Sequence, residues 1–154
     1  MSIYLLALLI GAIAGLRAMT APAAVSWAAL LGWLPLEGTW LAFMGYRITP
    51  YIFTLLAIVE LINDQRPNTP SRKVPLQFAT RIVSGALCGA CIGATGGALF
   101  GGLVAGAIGA VIGTLGGAEA RKHLAVAFGR DLPAALIEDA VAVVGAYLIV
   151  SAAA

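Results

Sequence analysis

Gly85-Ala-Leu-Cys-Gly89-Ala-Cys-Ile-Gly93-Ala-Thr-Gly-Gly97-Ala-Leu-Phe-Gly101-Gly-Leu-Val-Ala105-Gly-Ala-Ile-Gly109-Ala-Val-Ile-Gly113-Thr-Leu-Gly-Gly117 carries a small residue at every fourth position. Arg81 and Arg121 extend the stride by one step at either end. Residues four apart stay on nearly one face of a helix. Glycine costs helix propensity in water, so such a run makes little sense in a soluble helix. In lipid, where no hydrophobic force draws helices together, small residues let backbones approach and gain van der Waals contact. The stretch therefore predicts closely packed membrane helices.

Composition agrees. Of 154 residues, 61% are hydrophobic and 10% charged, against about 25% charged in ordinary globular domains, and mean hydropathy is +0.98. The expectation is an all-α, polytopic membrane bundle forming a single integral domain over residues 1–154, with about five transmembrane spans. The N-terminus lacks the basic start of a secretory signal, so the first apolar segment is expected to be retained. Net charge is a mild +2. Basic residues fall in short loops or at helix ends without aromatic interleaving, which argues against nucleic acid.

Outward from the glycine run, residues 76–117 are twice as long as one bilayer crossing, so the run must double back as a hairpin, with the turn expected in Thr95–Gly102. Residues 3–33 are apolar apart from Arg17. As one straight helix they would measure about 46 Å against a hydrocarbon core of about 30 Å. Pro22 has no N–H for the carbonyl of Ala18, so the first helix is expected to be kinked or broken near Arg17–Pro22. Thr49-Pro50 and Asp131-Leu-Pro133 read as helix starts. Segments 64–75 and 119–131 carry three Lys/Arg each, where the other loops carry one or none, and lie at opposite ends of one hairpin. The positive-inside rule makes both cytoplasmic. The N-terminus is then inside, or outside if the first segment re-enters. A shift of 98 aligns Gly11–Gly15 with Gly109–Gly113, a faint echo that would make the two copies inverted. Trp27, Trp33, Trp40 and Tyr46 suit an interfacial aromatic belt.

The candidate substrate-binding residues are Arg17, Thr20, Glu60, Arg81, Glu138 and Asp139. A charge in a span is costly and usually faces the bundle interior, where it meets an acid, freed carbonyls or a ligand. Arg17 beside the opened ladder and Thr20 could form an anion pocket at a broken helix, or pair structurally with Glu60, Glu138 or Asp139. Glu138 and Asp139 are adjacent, so at least one points inward. They either pair with Arg81 or Arg121 or titrate. Arg81 either anchors lipid phosphate or joins the carboxylates. Asp64, Thr69, Ser71 and Arg72 form a candidate head-group site, or an ordered turn. Cys88 and Cys91 spell CxxC but fall inside the glycine run, where packing is the better reading than redox or metal chemistry. No hydrolytic, phosphate-loop or dinucleotide signature is present. The chain is expected to be no enzyme and to need no cofactor and no metal.

Three elements together resemble a bacterial membrane family, domain of unknown function 4126. They are Gly11-Ala-Ile-Ala-Gly-Leu-Arg17 with Thr20-Ala-Pro22, Glu60 through Asp64 and Pro67 to Thr69-Pro70-Ser71-Arg72, and Arg81-x-Val-Ser-Gly-Ala-Leu. The similarity extends to Pro133-Ala-Ala-Leu-Ile-Glu138-Asp139. It implies a small protein of the bacterial inner membrane and brings no activity with it.

The expected function is a transporter or channel-like protein for a small anionic solute or lipid head group. Arg17 would contact the ligand, with Glu60, Glu138, Asp139 and Arg81 lining the path. Membrane lipids and a second copy of the chain are the expected partners. The alternative is a structural or lipid-binding membrane protein without transport.

Overall fold

The computed structural model describes residues 2–63 and 75–154, and among these every regular element is helical. In chain order they are α1 (Ile3–Leu16), α2 (Thr20–Leu30), a 3-10 helix (Trp40–Gly45), α3 (Thr49–Asn63), α4 (Pro75–Thr95), α5 (Leu99–Phe128) and α6 (Asp131–Ala153). Among the described residues, α4, α5 and α6 are long and apolar enough to cross a membrane, while α1 and α3 are shorter apolar helices. Asp64, Thr69, Ser71 and Arg72 lie outside the described residues.

The expected hairpin forms, and its turn is short. Gly97 adopts φ +72°, a left-handed conformation that glycine takes without Cβ strain. The amide of Ala98 donates back to the carbonyl of Gly93 at 2.9 Å, which satisfies an end carbonyl of α4 and stops the helix. Beyond the turn, α4 and α5 touch backbone to backbone. A side chain at Gly85 or Gly89 would strike the carbonyl of Gly106 or Gly102, and one at Gly93 would strike Ala98.

The glycine phase changes across the turn. On α5 the residues meeting α4 are Gly102, Gly106 and Ala110, one step off the four-residue row, while Gly109 and Gly113 meet Leu8 and Ala12 of α1. The turn resets which face of α5 looks at α4. That frees the second glycine row for α1, which inserts so closely that Gly11 lies on the backbone of Gly106.

Contacts along this seam give the helix directions. Tyr4 lies on Gly101, Leu8 on Gly109, Ala12 on Gly113, and Gly15 on Ala110 and Thr114. The helices α1 and α5 are therefore parallel, so the echo at 11–15 and 109–113 relates parallel segments, not inverted ones. Ile3 packs on Gly96. The N-terminus thus sits at the α4–α5 turn, at the opposite end of the bundle from segment 119–131.

After the break α2 does not continue along α1; it turns back. Ile13 of α1 packs on Gly145 of α6, and Arg17 reaches Asp139, so α1 and α6 are antiparallel. Trp33, just past α2, meets Tyr147 at 6.4 Å between ring centroids, level with Ile13 rather than beyond Arg17. In turn α3 runs antiparallel to α2. The Trp27 indole donates to the Thr54 hydroxyl at 2.8 Å, and Glu60 meets the amides of Ala18 and Met19. Small residues on α2 make the return fit: Ala21, Ala28 and Val25 are buried in the same core as Cys88, Cys91 and Ile92 of α4. Both cysteines are free and buried.

Candidate functional site

Five of the six proposed site residues in the described chain converge on the break between α1 and α2 through charge or hydrogen bonding. Arg17 ends α1 in an extended conformation, φ −140° and ψ 112°, with its side chain fully buried. Its Nε donates to Asp139 Oδ1 at 2.7 Å, and Nη2 lies 2.5 Å from the same oxygen. Its Nη1 donates to the carbonyl of Leu16 at 3.0 Å and lies 3.3 Å from Glu138 Oε1. Both members of the adjacent acidic pair therefore serve one guanidinium.

Breaking a helix inside an apolar bundle frees backbone groups that must find partners. Here side chains from distant elements supply them. Glu60 of α3 accepts from the amides of Ala18 and Met19, each at 2.7 Å, one with each carboxylate oxygen. Arg81 of α4 donates from Nη1 to the carbonyl of Gly15 at 2.8 Å. The Thr114 hydroxyl donates to that carbonyl at 3.4 Å. Ser84 donates to the carbonyl of Ala18 at 2.5 Å. This is the carbonyl that Pro22, lacking an N–H, leaves open.

The polarity of each helix end is matched. The C-terminus of α1 carries partial negative charge and meets Arg81 and Arg17; the N-terminus of α2 carries partial positive charge and meets Glu60. Arg81 and Glu60 also approach each other at 3.7 Å, so the two caps are coupled. Glu60 thus occupies the position at the broken helix that the sequence reading offers to an anionic ligand. Arg81 is 3% exposed and caps backbone rather than reaching for lipid phosphate.

A second chain of charge leads outward. Glu138 Oε2 lies 3.7 Å from Arg121 Nη1. Arg121 makes a two-point contact with Asp131, Nε to Oδ1 at 3.0 Å and Nη2 to Oδ2 at 2.6 Å. Asp131 is 58% exposed. Paired charges therefore run from the surface at Asp131 to the enclosed Arg17. Along the helix axes the cluster lies about 9–12 Å from the first residues of α4 and α6, closer to the basic end of the bundle than to the N-terminus.

Thr20, the sixth residue, does not join the cluster. Its hydroxyl is buried and has no hydrogen-bond partner among the described residues. The residue lines an apolar groove of about 410 Å³ between α2, α3 and α6. A second apolar groove, about 540 Å³, lies between α1, α5 and α6. Neither has a charged residue in its wall. A third, smaller concavity of about 150 Å³ has Arg121 and Glu138 in its wall.

Sequence reasoning did not single out Ser84, Thr114 or the Arg121–Asp131 pair. Ser84 and Thr114 carry no charge and sit at helical spacing in apolar stretches, so only the position of the break reveals them. No family model matches the chain, and neither a curated protein nor a solved structure matches it.

Proposed function

We propose that this chain is a small multi-pass protein of the bacterial inner membrane that engages lipid from its sides and does not pass solute through its centre. One observation carries the reading. The guanidinium expected to bind a substrate anion is enclosed and neutralised by Asp139 and Glu138, while the two large grooves among the described residues are uncharged and apolar. A buried, internally paired charge set fixes a broken helix in place. Apolar grooves on the flank of a membrane bundle suit hydrocarbon. The resemblance of the Gly11–Pro22 and Glu60–Arg72 elements to the membrane family named above supports the same location.

In this reading α1 and α2 form a re-entrant pair, and α3 to α6 make four crossings. Segments 64–75 and 119–131 face the cytoplasm by the positive-inside rule, with both termini outside. Such discontinuous helices occur in transporters, and the line of paired charges from Asp131 to Arg17 favours a second reading. In it the protein is a carrier of a small anion, held closed, in which an anion takes the place of one carboxylate on Arg17.

Thermal stability of the purified protein separates the two. Bound ligand raises stability by RT ln(1 + [L]/Kd). On the lipid reading, phospholipid stabilises the wild type, while inorganic anions and organic acids do not. Saturable stabilisation by a small anion, absent in a folded Arg17→Gln variant, overturns it in favour of the carrier.

A further inference from the structure

The hydroxyls around the helix break are satisfied with one exception. Ser84 donates to Ala18, Thr114 to Gly15, and Thr54 accepts from Trp27. Thr20 is only 7% exposed and its Oγ1 has no partner among the described residues. The reason is local. A helical threonine ordinarily back-bonds to the carbonyl four residues earlier, here Leu16. That carbonyl belongs to α1, across the break, and accepts from Arg17. The break strands Thr20 with a donor and no acceptor, and a buried hydroxyl without a partner is costly.

The Thr20 side chain lines the groove between α2, α3 and α6, whose walls include Ala24, Trp27, Ala57, Trp33 and Tyr147. The groove is held open by fixed rings. Trp27 is tied to Thr54 and packs edge-on against Tyr51 at 5.1 Å, and Trp33 packs edge-on against Tyr147. No charged side chain lines it, although five charged residues meet at the break one turn away. That contrast fixes the chemistry of an occupant. A charged group would lie unpaired against apolar walls, so what fits is hydrocarbon carrying one neutral hydrogen-bond acceptor.

We infer that this groove is a specific site for one acyl chain of a glycerophospholipid, with the Thr20 hydroxyl, once its side chain rotates into the groove, donating to the ester carbonyl. The site deepens the lipid reading and rests on it. Thr20 sets the register of the chain, the small side chains of Ala23, Ala24 and Ala57 leave its width, and the two tryptophans wall its length.

The tryptophans also report on it. Trp27 and Trp33 line the groove, whereas Trp40 lies on the 3-10 helix and is exposed. In a Trp40→Phe background, the probe is phosphatidylglycerol brominated on its acyl chains, titrated into the detergent-solubilised protein while tryptophan fluorescence is read. The expected quenching saturates. Adding Ala24→Phe, which fills the groove, removes the saturable part. Thr20→Val, which keeps the shape and deletes the donor, raises the half-quenching concentration by about 3- to 10-fold without lowering the melting temperature. Gly116→Ala, in the wall of the other groove with open space before it, leaves the curve unchanged.

Quenching that is equal in the wild type and Ala24→Phe overturns the site. An unchanged curve for Thr20→Val overturns the hydroxyl contact. If phospholipid stabilises both the wild type and Ala24→Phe, only the placement of the lipid fails. If it stabilises neither, the lipid reading itself fails.

Discussion

The two halves of this bundle are held together by opposite means. In the half built from α1, α4 and α5, glycine brings backbones into contact at Gly11, Gly89, Gly102, Gly106 and Gly113. In the other half α2 is largely buried, but α3, which it carries, packs sparsely: Pro50 and Ala57 are the buried residues of α3, while Tyr51, Leu55, Val59 and Ile62 stand exposed along it. The ionic cluster sits on the line between them, with Arg81 reaching from the tight half and Glu60 from the loose one. The difference teaches where rigidity and adaptability reside. Backbone contact cannot be adjusted without moving a helix, whereas the exposed side chains of α3 can change rotamer without disturbing a neighbour.

The sharpest way to break this comparison is to put a side chain into the tight half. Gly106→Leu places four carbons against the carbonyl of Gly85 and the Cα of Gly89. Overpacking costs about 1–3 kcal/mol where side chains can yield. Backbone cannot yield, so the variant is expected to lose its monodisperse, folded form on size exclusion in detergent. A folded Gly106→Leu would mean that glycine is not what sets the helix spacing.

Next in size comes the cluster. Arg17→Gln leaves Asp139 and Glu138 buried beside an uncharged group, and losing one member of a buried pair costs about 3–5 kcal/mol. The measurement is a thermal or denaturant melt in detergent. Pairing it with Asp139→Asn is expected to recover part of the loss, because residues in one network couple by about 0.5–3 kcal/mol. If the double variant is as unstable as the sum of the singles, the two side chains do not act together.

Ser84→Ala tests the break itself. It leaves the carbonyl of Ala18 without its side-chain donor, with an expected loss of about 1–3 kcal/mol. Restoring an N–H by Pro22→Ala offers that carbonyl a helical partner, so the Ser84→Ala loss should shrink in that background. An undiminished loss would detach Ser84 from the proline.

The smallest effect is expected on the loose half. Leu55→Ala removes an exposed side chain of α3 and should move stability by no more than about 0.5 kcal/mol. A loss as large as that of Ser84→Ala would show that Leu55 packs against a second copy of the chain or another protein.

Much of this was legible in the sequence. A lone arginine in an apolar run, followed by a proline five residues on, announces a broken helix, and its need for carboxylates points to Glu60, Glu138 and Asp139. Which carboxylate met which group was not legible. Glu60 caps backbone and Asp139 takes the guanidinium because α2 turns back on α1. The angle at a break depends on what the second half packs against, not on the residues of the break. The glycine row misled in the same way. A stride of four predicts which residues share a face within one helix. The left-handed turn at Gly97 then resets the phase, handing Gly109 and Gly113 to α1 instead of α4. Thr20 was expected at the break as an anion contact; the return of α2 turns it toward the apolar groove.

The span of chain between Arg17 and Asp139 has a consequence for biosynthesis. The partners are 122 residues apart, and a ribosome adding about 5–20 residues per second needs about 6–24 s to cover that distance. Throughout that interval the nascent N-terminal helix holds a cation whose counter-charge has not been translated. Two short half-helices cannot be secured one at a time as they emerge. They await α3, α4 and finally α6, so a ribosome that stalls before α6 leaves Arg17 without the carboxylates of Glu138 and Asp139 that enclose it in the finished fold.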